Sequence, residues 1–595
     1  MDSVTSKSNG EPVLQENGDL LSQWLARTTE RAPTNVSPIG RTGATSASYA
    51  QQGLWLADQI ATDGNRASVV QYSWRLRGPL DVAALRRAFE AILLRHEAWR
   101  TGFEQRDGNL YQHVFASARF DFAVEEIGSL DPKVVENRIV AAYRQPLDLA
   151  RGLVARARVY TLEPQHNILL LTIHHIAFDG WSFGILQREL ELLYSAALEI
   201  PPALGIEAVL ELAALSPLTI GSVDYAAYQK KQIENGDAEP SVAYWANLLD
   251  GAPERLRLPF DKAQPLARSS AGDRVLASVS SDLNARIKSR AVAWSTTPFC
   301  LQLVSFLLVL ARWTGERDVV IGIALAGRKD ADIEGVIGLF VNVLPLRCTF
   351  NLEESVSEVI QRVHGDLLRM HDHDEVPFEY LLQRLAVPRH ASYRPLVQVT
   401  VSSHEGMTSH LALAGLEVTL LPPLQLDVQE DLTLYFTSIG ERLDAHIAYS
   451  TDLFLRESIE ALSNEYLEAL GRLCEEPTAC VRDFGLRGGT ISEAFEPEHA
   501  VASTTPTQVD DPSLIEIQRV LAEIWNKVLP KTLTSADDNF FAMGGTSLAA
   551  LRACNHASSI FGVRVPVRKL FEAGTLRGLA RVISDSLAAD KKPTL

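Results

Sequence analysis

At 595 residues the chain is too long for one ordinary core and implies about three to four compact units. Its 46% apolar and 22% charged residues are those of a folded, water-soluble protein. The formal net charge of −18 argues against nucleic acid as a partner, because phosphates require a basic face.

Residues 1–45 are rich in Ser, Thr, Asn, Gly and charge and are expected to be disordered. Within them, "DLLSQWLAR" (19–27) places Leu20, Leu21, Trp24 and Leu25 on one helical face, a possible docking helix. No basic and apolar leader of a signal peptide is present. From 46 to 486 helices and strands alternate, which is α/β material. "LDVAALRRAFEAILLRH" (80–96) is an amphipathic helix with Val82, Leu85, Phe89, Ile92 and Leu93 on its apolar face. "HNILLLTIHHI" (166–176) is a strand too apolar to be half-exposed, "GWSFGILQRELELLYSAAL" (180–198) a helix, and "RDVVIGIAL" (317–325) another buried strand. The run "FCLQLVSFLLVLARW" (299–313) is too short and too polar at its ends to span a bilayer, so it reads as a buried helix and no membrane association is expected.

A linker follows at 487–513, built of Pro, Ser, Thr, Gly and acidic residues without an apolar period. Beyond it, 514–590 is a small all-helical unit with helices over 514–529, 547–562 and 575–589. Cys300, Cys348, Cys474, Cys480 and Cys554 are scattered, with no CxxC pair and no histidine at zinc-ligand spacing. No metal site is expected, and a reducing, cytoplasmic setting is.

Two stretches carry chemistry. In "DNFFAMGGTSLAALR" (538–552), Phe540 and Phe541 can anchor a loop, Gly544 and Gly545 let it turn sharply, and Ser547 opens a helix. A serine there is either an ordinary N-cap or the attachment point of a phosphate that helix amides favour. In "LTIHHIAFDGWSF" (171–183), His174, His175, Asp179 and Gly180 form HHxxxDG. Taken alone, the histidines are either a satisfied buried pair or a base at the mouth of a cleft, since imidazole titrates near neutrality.

The last unit resembles the peptidyl carrier (thiolation) domain of nonribosomal peptide synthetases. The resemblance implies a four-helix bundle with 4′-phosphopantetheine covalently attached at Ser547 by a phosphopantetheinyl transferase. Residues 46–486 resemble the condensation domain of the same synthetases. "SYAQQGLWLADQ" (48–59), "RHEAWRTGF" (95–103), HHxxxDG, "VDYAAYQ" (223–229), "YWANLLDGAPERLRLPFD" (244–261), "AGRKDADIEGVIGLFVNVLPLR" (326–347), "HDEVPFEYLL" (373–382), "RHASYRPLVQV" (389–399) and "YSTDLF" (449–454) fall in that family's order.

This resemblance implies two chloramphenicol-acetyltransferase-like lobes forming a V with a tunnel between them. It gives His175 the role of acting on the nucleophile, His174 and Asp179 support of the motif, and Arg328 the ion pair to Asp179. Gly180 would let the loop approach the reacting centre and lend its amide to an oxyanion. Two departures, Gly53 in the first motif and His390 in "RHASYRPL", bear on channel shape. The carrier follows the condensation domain, so epimerisation is disfavoured, and the aspartate motif of cyclising relatives is missing. No adenylation domain fits between the units, and no upstream carrier or thioesterase accompanies them. The expected activity is therefore amide formation between a donor acyl thioester from an upstream carrier protein and an acceptor loaded in trans by a stand-alone adenylation or other loading enzyme. The alternatives are ester formation on a hydroxyl acceptor and a non-catalytic carrier or docking module.

Overall fold

The computed structural model describes residues 36–486 and 512–590, apart from 61–65, 107, 118–119, 266–268, 388–392, 405–410, 425, 440–441, 477, 530, 541–542, 544, 546, 567–568 and 571–572. The helix expected at 19–27 and most of the 487–513 linker lie outside the described residues.

The N-terminal lobe begins with α1 (Tyr49–Ile60), β1 (Val69–Arg77), α2 (Val82–Arg95), the hairpin β2 (Thr101–Arg106) and β3 (Asn109–Val114), β4 (Asp121–Glu126) and α3 (Pro132–Tyr143). It continues through β5 (Ala155–Glu163), β6 (His166–His174) and α4 (Gly180–Glu199). Strand β6 is central in a five-stranded sheet, and its period-2 alternation serves two cores. Leu169, Leu171 and Ile173 join α2 and α4 in the main core, whereas Ile168 and Leu170 pack with Val135 and Ile139 of α3. That double burial explains its unbroken apolar run. Helix α2 starts where Asp81 accepts a hydrogen bond from Ala84 N at 2.8 Å, and it buries Leu85, Phe89 and Ile92 as its periodicity predicts.

Connecting helices α5 (Ser222–Asn235) and α6 (Glu239–Leu249) lead to the C-terminal lobe. There β7 (Ala271–Ser278), α7 (Ser281–Ala293), α8 (Pro298–Thr314), β8 (Asp318–Leu325), β9 (Asn342–Thr349), α9 (Val356–Asp372), α10 (Phe378–Arg384) and β10 (Val399–His404) follow in order. Helix α8 is the apolar run of the sequence, started by Thr297 and Pro298 and ended by Gly315 at φ +69°. It is buried in the lobe's core, and among the described residues no single helix is long and apolar enough to cross a membrane. Burial pushes the Cys300 and Cys474 thiols up to about 11 and those of Cys348 and Cys554 up to about 12, so these four are packed as inert apolar groups.

One strand crosses between lobes. After β10 the chain sends Leu411 and Leu413 into the N-terminal core and lays β11 (Glu417–Leu421) antiparallel on β1, with Glu417 opposite Arg77 and Leu421 opposite Ser73. It then returns as β12 (Leu432–Ile439) and β13 (Arg442–Ser450), beside β10 and β7, and ends in α11 (Arg456–Glu475). The third unit packs α12 (Pro512–Val528), α13 (Ser547–Phe561) and α14 (Leu576–Asp590) around Leu521, Trp525, Phe540 and Leu579.

Two expectations change. Disorder through residue 45 does not hold for 36–45. Val36 is buried beside Ile220, Ile333 and Phe340, and Arg41 forms a bidentate pair with Asp224 (2.6 and 2.7 Å) and bonds Glu97 at 2.7 Å. Polar composition hid these few well-partnered side chains. The strand expected through Ile176 stops at His174, because the His174 ring accepts the Ile176 N–H and turns the chain into a 3₁₀ segment, His175–Ala177.

Candidate active site

Asp179 is the N-cap of α4 and is saturated with donors. Its carboxylate accepts from Ser182 N (2.9 Å), Ser182 Oγ (2.7 Å), Phe340 N (3.0 Å) and Arg328 Nη2 (3.0 and 3.1 Å). Arg328 donates in turn to the Ile333 and Val336 carbonyls, each at 2.7 Å, and its guanidinium lies 4.3 Å from the Phe340 ring centre. Both side chains are almost fully buried, 1% and 2% exposed, which rules out a solvated loop charge for Arg328. Asp179 and Ser182 come from the N-terminal lobe, Arg328 and Phe340 from the C-terminal lobe, so the network pins the lobes together. Neither oxygen of Asp179 is left free for a substrate.

A second buried pin was missed in sequence. His96 Nε2 lies 2.7 Å from Glu189 Oε2, and its Nδ1 accepts the Ile337 N–H at 3.1 Å. The signal was the "RHE" of 95–97, whose partner across the cleft no local pattern reveals.

The two adjacent histidines face different partners. His174 is buried, with Nδ1 accepting from Ile176 N (3.1 Å) and Nε2 2.9 Å from Asp58 Oδ2 on α1. His175 is only partly exposed, and its Nδ1 is 3.0 Å from the Phe178 carbonyl. Since a carbonyl only accepts, Nδ1 carries the proton, and Nε2 keeps a lone pair that no described residue engages, a tautomer assigned by the network. Burial holds the His175 pKa below its ordinary 6.5, with the Phe178 carbonyl partly opposing. The ring is therefore neutral near pH 7, the state a base requires. Carbethoxylation by diethyl pyrocarbonate, which needs the neutral ring, should give His175 a titration midpoint below 6.5 by peptide mass spectrometry; a midpoint at or above that value contradicts this environment. Gly180 opens α4, where its amide is one of the N-terminal donors that have no acceptor within the helix.

In the small unit, Ser547 is the first residue of α13. Phe540 anchors the preceding loop: its N–H donates to Gly574 O at 2.9 Å and its ring meets Trp525 edge-on at 4.7 Å. A Cβ at Gly545 would sit 2.3 Å from the Phe540 ring, so only glycine allows this close approach. Phe541 and Gly544 lie outside the described residues. A loop folded back on itself before a helix N-terminus suits a covalently attached phosphodiester. The unit touches the N-terminal lobe: Leu56 of α1 packs against its core and Arg552 Nη2 donates to Asn109 Oδ1 at 2.9 Å. Of the sequence departures, Gly53 leaves its space to Glu379, 2.8 Å from where a Cβ would lie, and His390 lies outside the described residues. Among the described residues no group of His, Cys, Asp and Glu is arranged to hold a metal ion.

A condensation-domain family model matches residues 42–489, and a phosphopantetheine attachment site model matches 519–583. A linear gramicidin synthase component of Brevibacillus parabrevis is 30% identical over 93% of this chain and 7% of its own length. The bassianolide nonribosomal cyclodepsipeptide synthetase of Beauveria bassiana is 32% identical over 77% of this chain and 14% of its own. The chain thus spans a small fraction of these relatives. Among solved structures, the X-domain from teicoplanin biosynthesis shares the fold at TM-score 0.67 and 24% identity, covering 75% of this chain and 98% of that one. The condensation domain of the monacolin K polyketide synthase does so at TM-score 0.63 and 19% identity, covering 74% of this chain and 99% of that one.

Proposed function

The chain belongs to the condensation domains of nonribosomal peptide synthetases, here followed by a phosphopantetheine carrier domain, and we propose that it forms an amide between a donor acyl group and an acceptor amine held on that carrier. The observation that carries the reading is the His175 ring, anchored through Nδ1 to the Phe178 carbonyl, with no partner for Nε2 among the described residues. The phosphopantetheine thiol, when present on Ser547, supplies a thioester tether for the acceptor. His175 Nε2 accepts the proton of the acceptor amine as its nitrogen bonds the donor carbonyl carbon. The carbon–sulfur bond of the donor thioester breaks, and the proton passes to the leaving thiolate. The Gly180 amide donates to the carbonyl oxygen as negative charge develops there. His174 and Asp179 support the turn and the helix start, and Arg328 supports Asp179. A tethered acceptor raises its effective concentration at the site.

The 490–518 interval between the two matched families is too short for an adenylation domain. In this reading a stand-alone adenylation or other loading enzyme charges Ser547, an upstream carrier protein brings the donor, and a phosphopantetheinyl transferase installs the arm. An ester-forming reading has one observation behind it, the 32% identity to a cyclodepsipeptide synthetase. Offering amine and hydroxyl acceptors in competition separates the two.

Attachment is tested first. Co-expression with a phosphopantetheinyl transferase should add the mass of one phosphopantetheine to the intact wild-type protein and nothing to Ser547→Ala. An unmodified wild type, or a modified Ser547→Ala, removes the assignment of Ser547.

A further inference from the structure

We propose that α1 is the frame that sets the catalytic turn, and that Asp58 is the positioning residue through which it fixes His175. The inference rests on the catalytic reading of His175 above. Gln51 and Asp58 are two helical turns apart, so they lie on one face of α1. Both reach the turn. Gln51 Nε2 donates to the Ile176 carbonyl at 3.3 Å, while Gln51 Oε1 is itself held by the Ser48 N–H at 2.8 Å. Asp58 Oδ2 lies 2.9 Å from His174 Nε2.

The protonation of His174 follows from its neighbours. Nδ1 accepts from the Ile176 N–H, so the ring proton is on Nε2 and is donated to Asp58. Asp58 thereby sets the ring's orientation, the ring ends β6 by capping Ile176, and the 3₁₀ turn His175–Ala177 takes its place from that cap. His175 is the first residue of the turn and is locked at its far side by the Phe178 carbonyl. Ile176 is gripped on both its amide and its carbonyl, leaving the turn little freedom to rotate.

This bond is the carboxylate's main contact. Among the described residues Asp58 Oδ1 is buried with no hydrogen bond of full geometry. Burial raises the Asp58 pKa, with His174 opposing first and the nearby Ser68 hydroxyl adding less. A buried carboxylate that loses its strongest hydrogen bond bears the full cost of desolvation. Here that contact is the His174 ring.

The test uses the full-length chain carrying its phosphopantetheine. Asp58→Ala removes the acceptor, Asp58→Leu removes it while keeping the helix packed, and Asp58→Asn keeps an acceptor oxygen for Nε2–H without the charge. The first readout needs no substrate: the rate of His175 carbethoxylation by diethyl pyrocarbonate at pH 7. Asp58→Ala and Asp58→Leu should raise it by about tenfold as the turn loosens, with Asp58→Asn within about twofold of wild type. The second readout is acyl transfer from an acetyl-leucyl carrier to leucine loaded on the chain's own arm from leucyl-coenzyme A, or in multiple turnover to a soluble leucyl thioester. There kcat should fall by about 10–100-fold in the Ala and Leu variants with KM for the soluble thioester nearly unchanged, and the Asn variant should recover most of it. The proposal is overturned if His175 reacts at the wild-type rate in the Ala and Leu variants, or if Asn behaves as they do. Wild-type failure to transfer, with His175 labelling still answering to Asp58, would refute the condensation reading and leave the positioning intact.

Discussion

With His175 replaced by alanine, acyl transfer onto the carrier-bound acceptor should fall by about 10²–10⁴-fold, the range a positioned general base contributes. The measurement is single-turnover product formation on the carrier domain, resolved by intact-protein mass. His175→Asn separates two explanations. Its amide still donates to the Phe178 carbonyl, so the turn keeps its far anchor, but it offers no basic lone pair. If His175 accepts a proton, Asn is as slow as Ala; if the ring only shapes the turn, Asn recovers most of the rate. Full activity in His175→Ala would refute the role outright. Phosphopantetheine attachment stays at the wild-type level in both variants, because the reacting serine lies in a different unit.

Arg328→Met should destabilise the condensation domain by about 3–5 kcal/mol, the usual result of stripping one partner from a buried ion pair. The magnitude has three sources. Asp179 would keep the Ser182 and Phe340 donors but lose its cation, and the Ile333 and Val336 carbonyls would each lose a buried donor. The cation–π contact with Phe340 would go as well. Denaturant unfolding of the variant followed by Trp fluorescence measures the loss. Pairing it with Asp179→Asn should cost less than the sum of the two single changes, since the second removes the charge the first left stranded. Strict additivity would mean the two residues do not act as a pair. Activity in Arg328→Met should drop through the lobes' relative placement, a change His175 itself does not undergo.

What could be seen in the sequence was local or carried by resemblance. Strand β6 and helices α2, α4 and α8 announced themselves through apolar period or run length, because those patterns record which face of an element is buried. Asp179 and Arg328 were pairable in advance only through the family's motif order; nothing in their spacing relates residues so far apart. The grip of Gln51 and Asp58 on the turn was invisible, although both lie in a stretch that resembles the family. Periodicity says that a residue points inward and is silent about what it meets. The same limit hid the His96 link to Ile337, and the segment 36–45, where Arg41 needs Asp224 and Glu97 from elsewhere in the chain to become ordered. Residues 417–421 are a short stretch of mixed polarity; Gly415 and Pro422-Pro423 mark its ends, but their partner strand lies at the other end of the domain, which no local signal reveals.

That crossing strand has a bearing on how this protein can be dissected. A gene cut between the lobes follows the chain but not the sheet: the N-terminal product would carry β1 with one side stripped of its partner. An open edge of that kind recruits strands from other molecules and invites aggregation. A lobe transplanted from a relative would arrive lacking the strand its sheet was shaped around, or bring one matched to a different neighbour. The smallest piece that can be exchanged cleanly is therefore the pair of lobes together with the packed segment before them, and recombination points belong outside 36–486.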